Sequence, residues 1–169
     1  MRLRQVLVCA TVLLLAAMIQ LTLLGRLEIP GSTPDLVVVS VVALGLAYGP
    51  VPGAVAGFSA GLILGMSPPA DGILGILALI YLVVGYLSGS MISPRDRTLP
   101  LVLALVGMST GGAALANVTL TGIFGGERVI WDQVPAVVLS SVIYGVLLTP
   151  VIVPLVGWLK SKVTPELVD

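Results

Sequence analysis

The chain has 169 residues, of which 57% are hydrophobic and 9% charged, and its mean hydropathy is +1.15. A soluble domain carries roughly 25% charged residues, so this composition requires lipid as its solvent. Eight basic and eight acidic residues cancel and stand singly or in pairs, which leaves no patch able to neutralise a run of nucleic-acid phosphates. Histidine is absent from the sequence, which removes the commonest general base and metal ligand, and no metal or other cofactor is expected.

Met1-Arg2-Leu3-Arg4 precedes an apolar run from Val6 to Leu24. Charged and apolar regions in that order also begin a signal peptide. The run, however, approaches the roughly 20 residues of a membrane span, and Gly25-Arg26-Leu27-Glu28 offers no small-x-small cleavage site, so a retained helix is expected. Cys9, the single cysteine, lies inside this run as a small packing residue. Further runs cover Leu36–Met66, Ile73–Ile92, Leu99–Phe124 and Val134–Leu159. The first of these would make one helix about 46 Å long, against a hydrocarbon core of about 30 Å. Gly49-Pro50-Val51-Pro52-Gly53 interrupts it, and two prolines that fix φ and lack donors favour a tight turn between two short helices.

The expected architecture is therefore an all-α integral membrane protein, a single transmembrane domain over residues 1–169. Its six short transmembrane helices lie at about 5–24, 34–49, 52–66, 72–92, 99–122 and 132–159. Helices two and three are short for a bilayer, which local thinning or a half-inserted hairpin would accommodate. Basic residues test the division, because short cytoplasmic loops collect Lys and Arg. Six spans with both termini inside place Arg2, Arg4, Arg95, Arg97, Lys160 and Lys162 on the cytoplasmic side and only Arg26 and Arg128 outside. A single span over Leu36–Met66 would reverse most of that bias.

The strongest pattern is Gly53, Gly57, Gly61 and Gly65, spaced four apart along helix three, with Ala56 and Ala60 beside them. Such ridges let helix backbones approach closely. The face packs against helix four or six, or against a helix of another protein. Gly85-x-x-x-Gly89 and Gly107-x-x-x-Gly111 repeat the spacing once each. Every carboxylate falls near a helix end or in a loop, which argues against a proton- or sodium-coupled transporter. The deepest polar groups, Gln20 and Asn117, are expected to hydrogen-bond across helices. Pro34-Asp35 opens helix two and Pro68-Pro69-Ala70-Asp71 precedes helix four. Proline in a first turn and an acid at the positive end of the macrodipole read as helix starts, and capping is favoured over catalysis for both Asp35 and Asp71. Tyr48, Trp131 and Trp158 fall where amphipathic rings anchor at an interface.

Thr33-Pro34-Asp35-Leu36, Gly53-x-x-x-Gly57-Phe58-x-x-Gly61-Leu62, Pro68-Pro69-Ala70-Asp71, Ala78-Leu79 and Val84-Gly85-Tyr86-Leu87-x-Gly89 together resemble, in kind and order, the rod shape-determining MreD family. The Pro-Pro-Ala-Asp segment is most similar to its actinobacterial branch. The resemblance is specific from residue 33 to 89 and weaker around Ser141-Val142-Ile143-Tyr144 and Pro150 to Pro154. It implies a multi-pass protein of the bacterial cytoplasmic membrane that acts without catalysis in the rod-elongation machinery for peptidoglycan. Its implied partners are MreC, the actin-like MreB, the polymerase RodA and a class B penicillin-binding transpeptidase. It also implies a fold similar to the substrate-binding components of energy-coupling-factor vitamin transporters. Gly65 and Gly145 stand where relatives often carry acidic or polar residues, so a role resting on those acids does not carry over.

Three functions follow for comparison. A membrane scaffold that binds the transmembrane helix of an MreC-like partner fits glycine-lined faces without buried charge. A vitamin-type binder requires polar and aromatic side chains converging on a pocket, for which the sequence offers Gln20, Asn117 and a few hydroxyls. An intramembrane enzyme requires a nucleophile paired with a base, which no motif supplies.

Overall fold

The computed structural model describes residues 3–22, 35–66, 75–91, 98–124 and 131–163. Among these residues all regular structure is helical: α1 (Leu3–Thr22), α2 (Leu36–Tyr48), α3 (Pro50–Gly65), α4 (Ile76–Met91), α5 (Leu99–Ile123) and α6 (Val134–Val163), the last preceded by a 3-10 turn at Trp131–Gln133. Segments of α1, α5 and α6 are long and apolar enough to cross a membrane, whereas α2, α3 and α4 are shorter apolar helices. Pro34, Pro68, Pro69 and Asp71 lie outside the described residues, as do the expected first residues of helix four.

The element that organises the bundle is α2. Every residue from Leu36 to Leu46 is buried, and the helix touches each of the other five. A helix that is apolar all round has no solvent or lipid face to present and belongs in a core. That position accounts for its length. Thirteen residues span about 20 Å, and a helix enclosed by protein does not have to match the thickness of a bilayer. Around it, α1 buries Cys9, Leu13, Ala16 and Ala17 and exposes Leu7, Leu14, Leu15 and Met18. The i, i+4, i+7, i+8 spacing of the buried set is the inner face of one helix.

The turn between α2 and α3 is tighter than the sequence predicts. Helix α3 begins at Pro50, not at residue 52, and Gly49 alone carries the reversal at φ +97°. Its N–H donates to Gly45 O at 2.8 Å, while its carbonyl accepts from Gly53 N at 3.0 Å. Both prolines then fall in the first turn of α3, where N–H groups have no acceptor within the helix and the missing donors cost nothing. Only glycine adopts that φ readily.

Helix α6 runs 30 residues with Pro150 and Pro154 inside, about 45 Å of helix, and continues four residues beyond the expected end at 159. Lys160 and Lys162 consequently sit in its last turn, where cations meet the negative end of the macrodipole. Lys162 Nζ lies 4.7 Å from the Trp158 ring centroid.

Candidate functional site: a glycine seam and a polar cavity

The glycine ridge of α3 faces α4. A Cβ built on Gly57 would collide with the Tyr81 carbonyl, one on Gly53 with Gly85 O, and one on Gly61 would stand 2.5 Å from both Ala78 Cα and Leu77 O. From the other side, Gly85 closes on Gly53 O, and a Cβ on Gly89 would fall 2.5 Å from Gly49 C and Pro50 N. The groups met are backbone atoms in each case, so they cannot swing aside as a side chain would. Gly65, which continues the spacing, has open space where its Cβ would be. Three ridge glycines thus form the seam and the fourth does not.

The sequence reading missed Gly45. A Cβ there would sit 2.5 Å from Ser88 Oγ and 2.8 Å from Gly85 O, so α2 joins the same seam. The signal was available, since Gly45 and Gly49 extend the four-residue spacing backwards from Gly53. On the far side of the bundle, Gly107 and Gly111 of α5 face Val142 of α6, and Gly145 faces Thr110.

At one end of the bundle a second feature forms. The C-terminal ends of α1, α3 and α5 meet the N-terminal ends of α2, α4 and α6 around a cavity of about 250 Å³, whose polar walls are Gln20, Asp35, Tyr81, Thr110, Asn117 and Ser141. Asp35 is the N-cap of α2. Its Oδ1 accepts from Val38 N at 3.1 Å, and its Oδ2 accepts from the Tyr81 hydroxyl at 2.6 Å. Gln20 Oε1 accepts from Val37 N at 2.9 Å. Gln20 and Asp35 therefore share the task of satisfying the orphan amides of the first turn of α2. Thr110 Oγ1 donates to Val106 O at 2.9 Å and Ser141 Oγ to Val137 O at 2.8 Å. Asn117 is exposed, and among the described residues no hydrogen bond engages its carboxamide.

The two polar residues singled out from the sequence within apolar runs, Gln20 and Asn117, thus reach one cavity together with Asp35. Tyr81, Thr110 and Ser141 were not anticipated there. A tyrosine hydroxyl in an apolar helix signals a buried partner, but the partner lies 46 residues away in sequence and no local pattern names it. Among the described residues no group of three or more His, Cys, Asp or Glu is placed to hold a metal ion. Asp35, with both oxygens engaged, is poorly free to act as a base.

A third feature is a cleft of about 390 Å³ between α4 and α5, apolar apart from Ser109, with Gly112, Ala113 and Ala116 along the α5 side and Leu79, Val83 and Leu87 along the α4 side. Comparison of the chain with family models, with curated proteins and with solved structures found no match.

Proposed function

We propose that this chain is a multi-pass membrane scaffold of MreD type, with all six helices within the bilayer, both termini cytoplasmic, and no catalytic role. In that role it binds the transmembrane helix of a single-span MreC-like protein and through it helps to place MreB, RodA and a class B transpeptidase. The observation that carries the reading is the coincidence of motif and structure over the described residues 35–66 and 75–89. Asp35, Gly53, Gly57, Gly61, Ala78, Gly85 and Gly89, quoted for the resemblance, are the residues at the N-cap of α2 and along the α3–α4 seam. The resembling segment encodes one packing unit.

That unit uses the glycine ridge internally, so the partner helix must seat elsewhere. The α4–α5 cleft is the face we assign to it. Gly112 and Ala116 are a small-x-x-x-small pair on its α5 side, the pattern by which helices approach in lipid, and Gly112 has open space where a Cβ would be. The outer surface presents many large apolar side chains, Leu15, Phe58, Leu79, Met108 and Leu147 among them.

Co-expression with the MreC-like partner tests this. A Gly112→Leu, Ala116→Leu double variant, which fills the cleft, should accumulate normally and lose co-purification by about fivefold to 150-fold, because overpacking costs about 1–3 kcal/mol and 1.4 kcal/mol is a factor of ten. Undiminished recovery of the partner with the filled cleft would refute the assignment. A second reading, a vitamin-type binding component with a fold similar to those of energy-coupling-factor transporters, is favoured by the polar cavity. An upstream gene for a single-span coiled-coil protein supports the scaffold, whereas adjacent transporter ATPase genes support the binder.

A further inference from the structure

The polar cavity has a one-sided inventory. Thr110 and Ser141 spend their O–H donors on carbonyls of their own helices and so present only lone pairs inward. Tyr81 spends its donor on Asp35. The Asp35 carboxylate accepts from Val38 and Tyr81, which leaves roughly two of its four lone-pair positions. Asn117 adds a carbonyl and amide that no described residue engages. Among the described residues no lysine or arginine lines the space. The helix ends do not decide its sign either, because three N-termini and three C-termini meet there and their dipoles oppose. What remains is a carboxylate, several acceptors and an apolar floor of Leu64, Leu77 and Val137.

We propose that this cavity binds a primary ammonium group carried on a compact apolar body. Three N–H donors find Asp35, a hydroxyl oxygen of Thr110 or Ser141, and the Asn117 carbonyl. A quaternary ammonium offers charge but no donor and leaves those acceptors unanswered. An anion meets a carboxylate beside which no described residue carries a positive charge. A volume of about 250 Å³ equals roughly eight water volumes at about 30 Å³ each, which suits a ligand of about eight or nine non-hydrogen atoms. Two sources present such a group at a membrane: a free small amine, or the headgroup of an aminophospholipid whose ammonium enters while its phosphate stays outside. The inference rests on the cavity and is independent of any partner helix in the α4–α5 cleft.

The test uses the full chain in phosphatidylcholine nanodiscs and follows thermal unfolding against 2-phenylethylamine. Its neutral isostere 2-phenylethanol and its N,N,N-trimethyl derivative serve as comparisons. A ligand bound only by the folded state raises Tm in proportion to ln(1 + [L]/Kd). The primary amine should raise Tm with saturation, while the alcohol and the trimethyl compound should do so at least tenfold less effectively. Asp35→Asn keeps an acceptor for Tyr81 and should weaken the apparent Kd by at least tenfold. Asn117→Leu changes an exposed side chain that no described residue hydrogen-bonds, so it should fold as the parent does and weaken the amine about threefold to tenfold. Adding phosphatidylethanolamine separates the sources. If the headgroup is the occupant, it raises the ligand-free Tm and competes with the amine; if a free amine is, it changes neither. Equal stabilisation by alcohol or trimethyl compound overturns the proposal. So does undiminished amine binding in Asn117→Leu and a folded Asp35→Asn, or the absence of any shift with amine and aminophospholipid alike, which would leave a cavity that holds only water.

Discussion

Two glycines of α3 with identical sequence spacing should respond oppositely to one methyl group. At Gly61 an added Cβ would stand 2.5 Å from Ala78 Cα and 2.5 Å from Leu77 O, about 1 Å short of an ordinary carbon contact of 3.5–4.0 Å. Both obstacles are backbone, so relief requires α3 and α4 to separate by about that distance, which also loosens Gly53 against Gly85. A radial gap of 0.5–1 Å forfeits a quarter to a half of each dispersion well along the seam. The cost of Gly61→Ala is therefore placed at about 1–3 kcal/mol, the range for overpacking. At about 2–4 °C per kcal/mol for a chain of this size, Tm falls by roughly 2–12 °C.

Gly65→Ala is the matched control. Nothing lies within 4 Å of its Cβ position, so only the backbone entropy of glycine changes and stability rises by up to about 1 kcal/mol. Thermal unfolding in one mild detergent, read by the fraction surviving size-exclusion chromatography, compares the two. Equal Tm values for Gly61→Ala and Gly65→Ala would refute the seam as the site of close approach.

Gln20→Leu removes the acceptor of Val37 N and should cost about 1–3 kcal/mol, the penalty for a buried amide left unpaired, measured by the same unfolding assay. Tyr81→Phe removes the donor to Asp35 and should cost a similar amount, with a coupling above about 0.5 kcal/mol to Asp35→Ala, which removes the acceptor, in a double-mutant cycle. For topology, with Cys9 replaced by Ala, a cysteine at Thr98 should resist a membrane-impermeant maleimide in intact cells while one at Phe124 reacts. Labelling of position 98 from outside would reverse or break the six-span arrangement.

Much of the helix order was legible because apolar runs and proline breaks are local properties. Pro50 and Pro52 marked the break, but its geometry was not legible: proline is tolerated equally in a loop and in a first helical turn, and only the positive φ at Gly49 distinguishes them. Burial was less legible still. In a chain this apolar, hydropathy does not separate an exposed leucine such as Leu15 from a core one such as Leu44, so the central place of α2 had no sequence signature beyond its uniformity. The cavity was half legible. Gln20 and Asn117 stood out as polar residues in apolar runs, whereas Asp35 read as a helix start, and that role conceals its second one as the acceptor for Tyr81.

Tyr81 links the seam to the cavity. Its carbonyl is the atom a Cβ on Gly57 would strike, and its hydroxyl reaches Asp35 at 2.6 Å. The close approach of α3 and α4 therefore fixes how far the tyrosine ring extends towards the end of α2. A shift of α4 by about 1 Å would stretch that bond to about 3.6 Å if the ring followed the backbone, beyond hydrogen-bonding distance. Gly57→Ala should thus act at a distance, weakening the Asp35–Tyr81 bond although residue 57 does not line the cavity. In a Gly57→Ala background, Tyr81→Phe should cost less than it does alone, by at least about 0.5 kcal/mol, as coupled sites do. Strict additivity of the two changes would show that the ring adjusts independently of the seam, and that the glycines set helix packing alone.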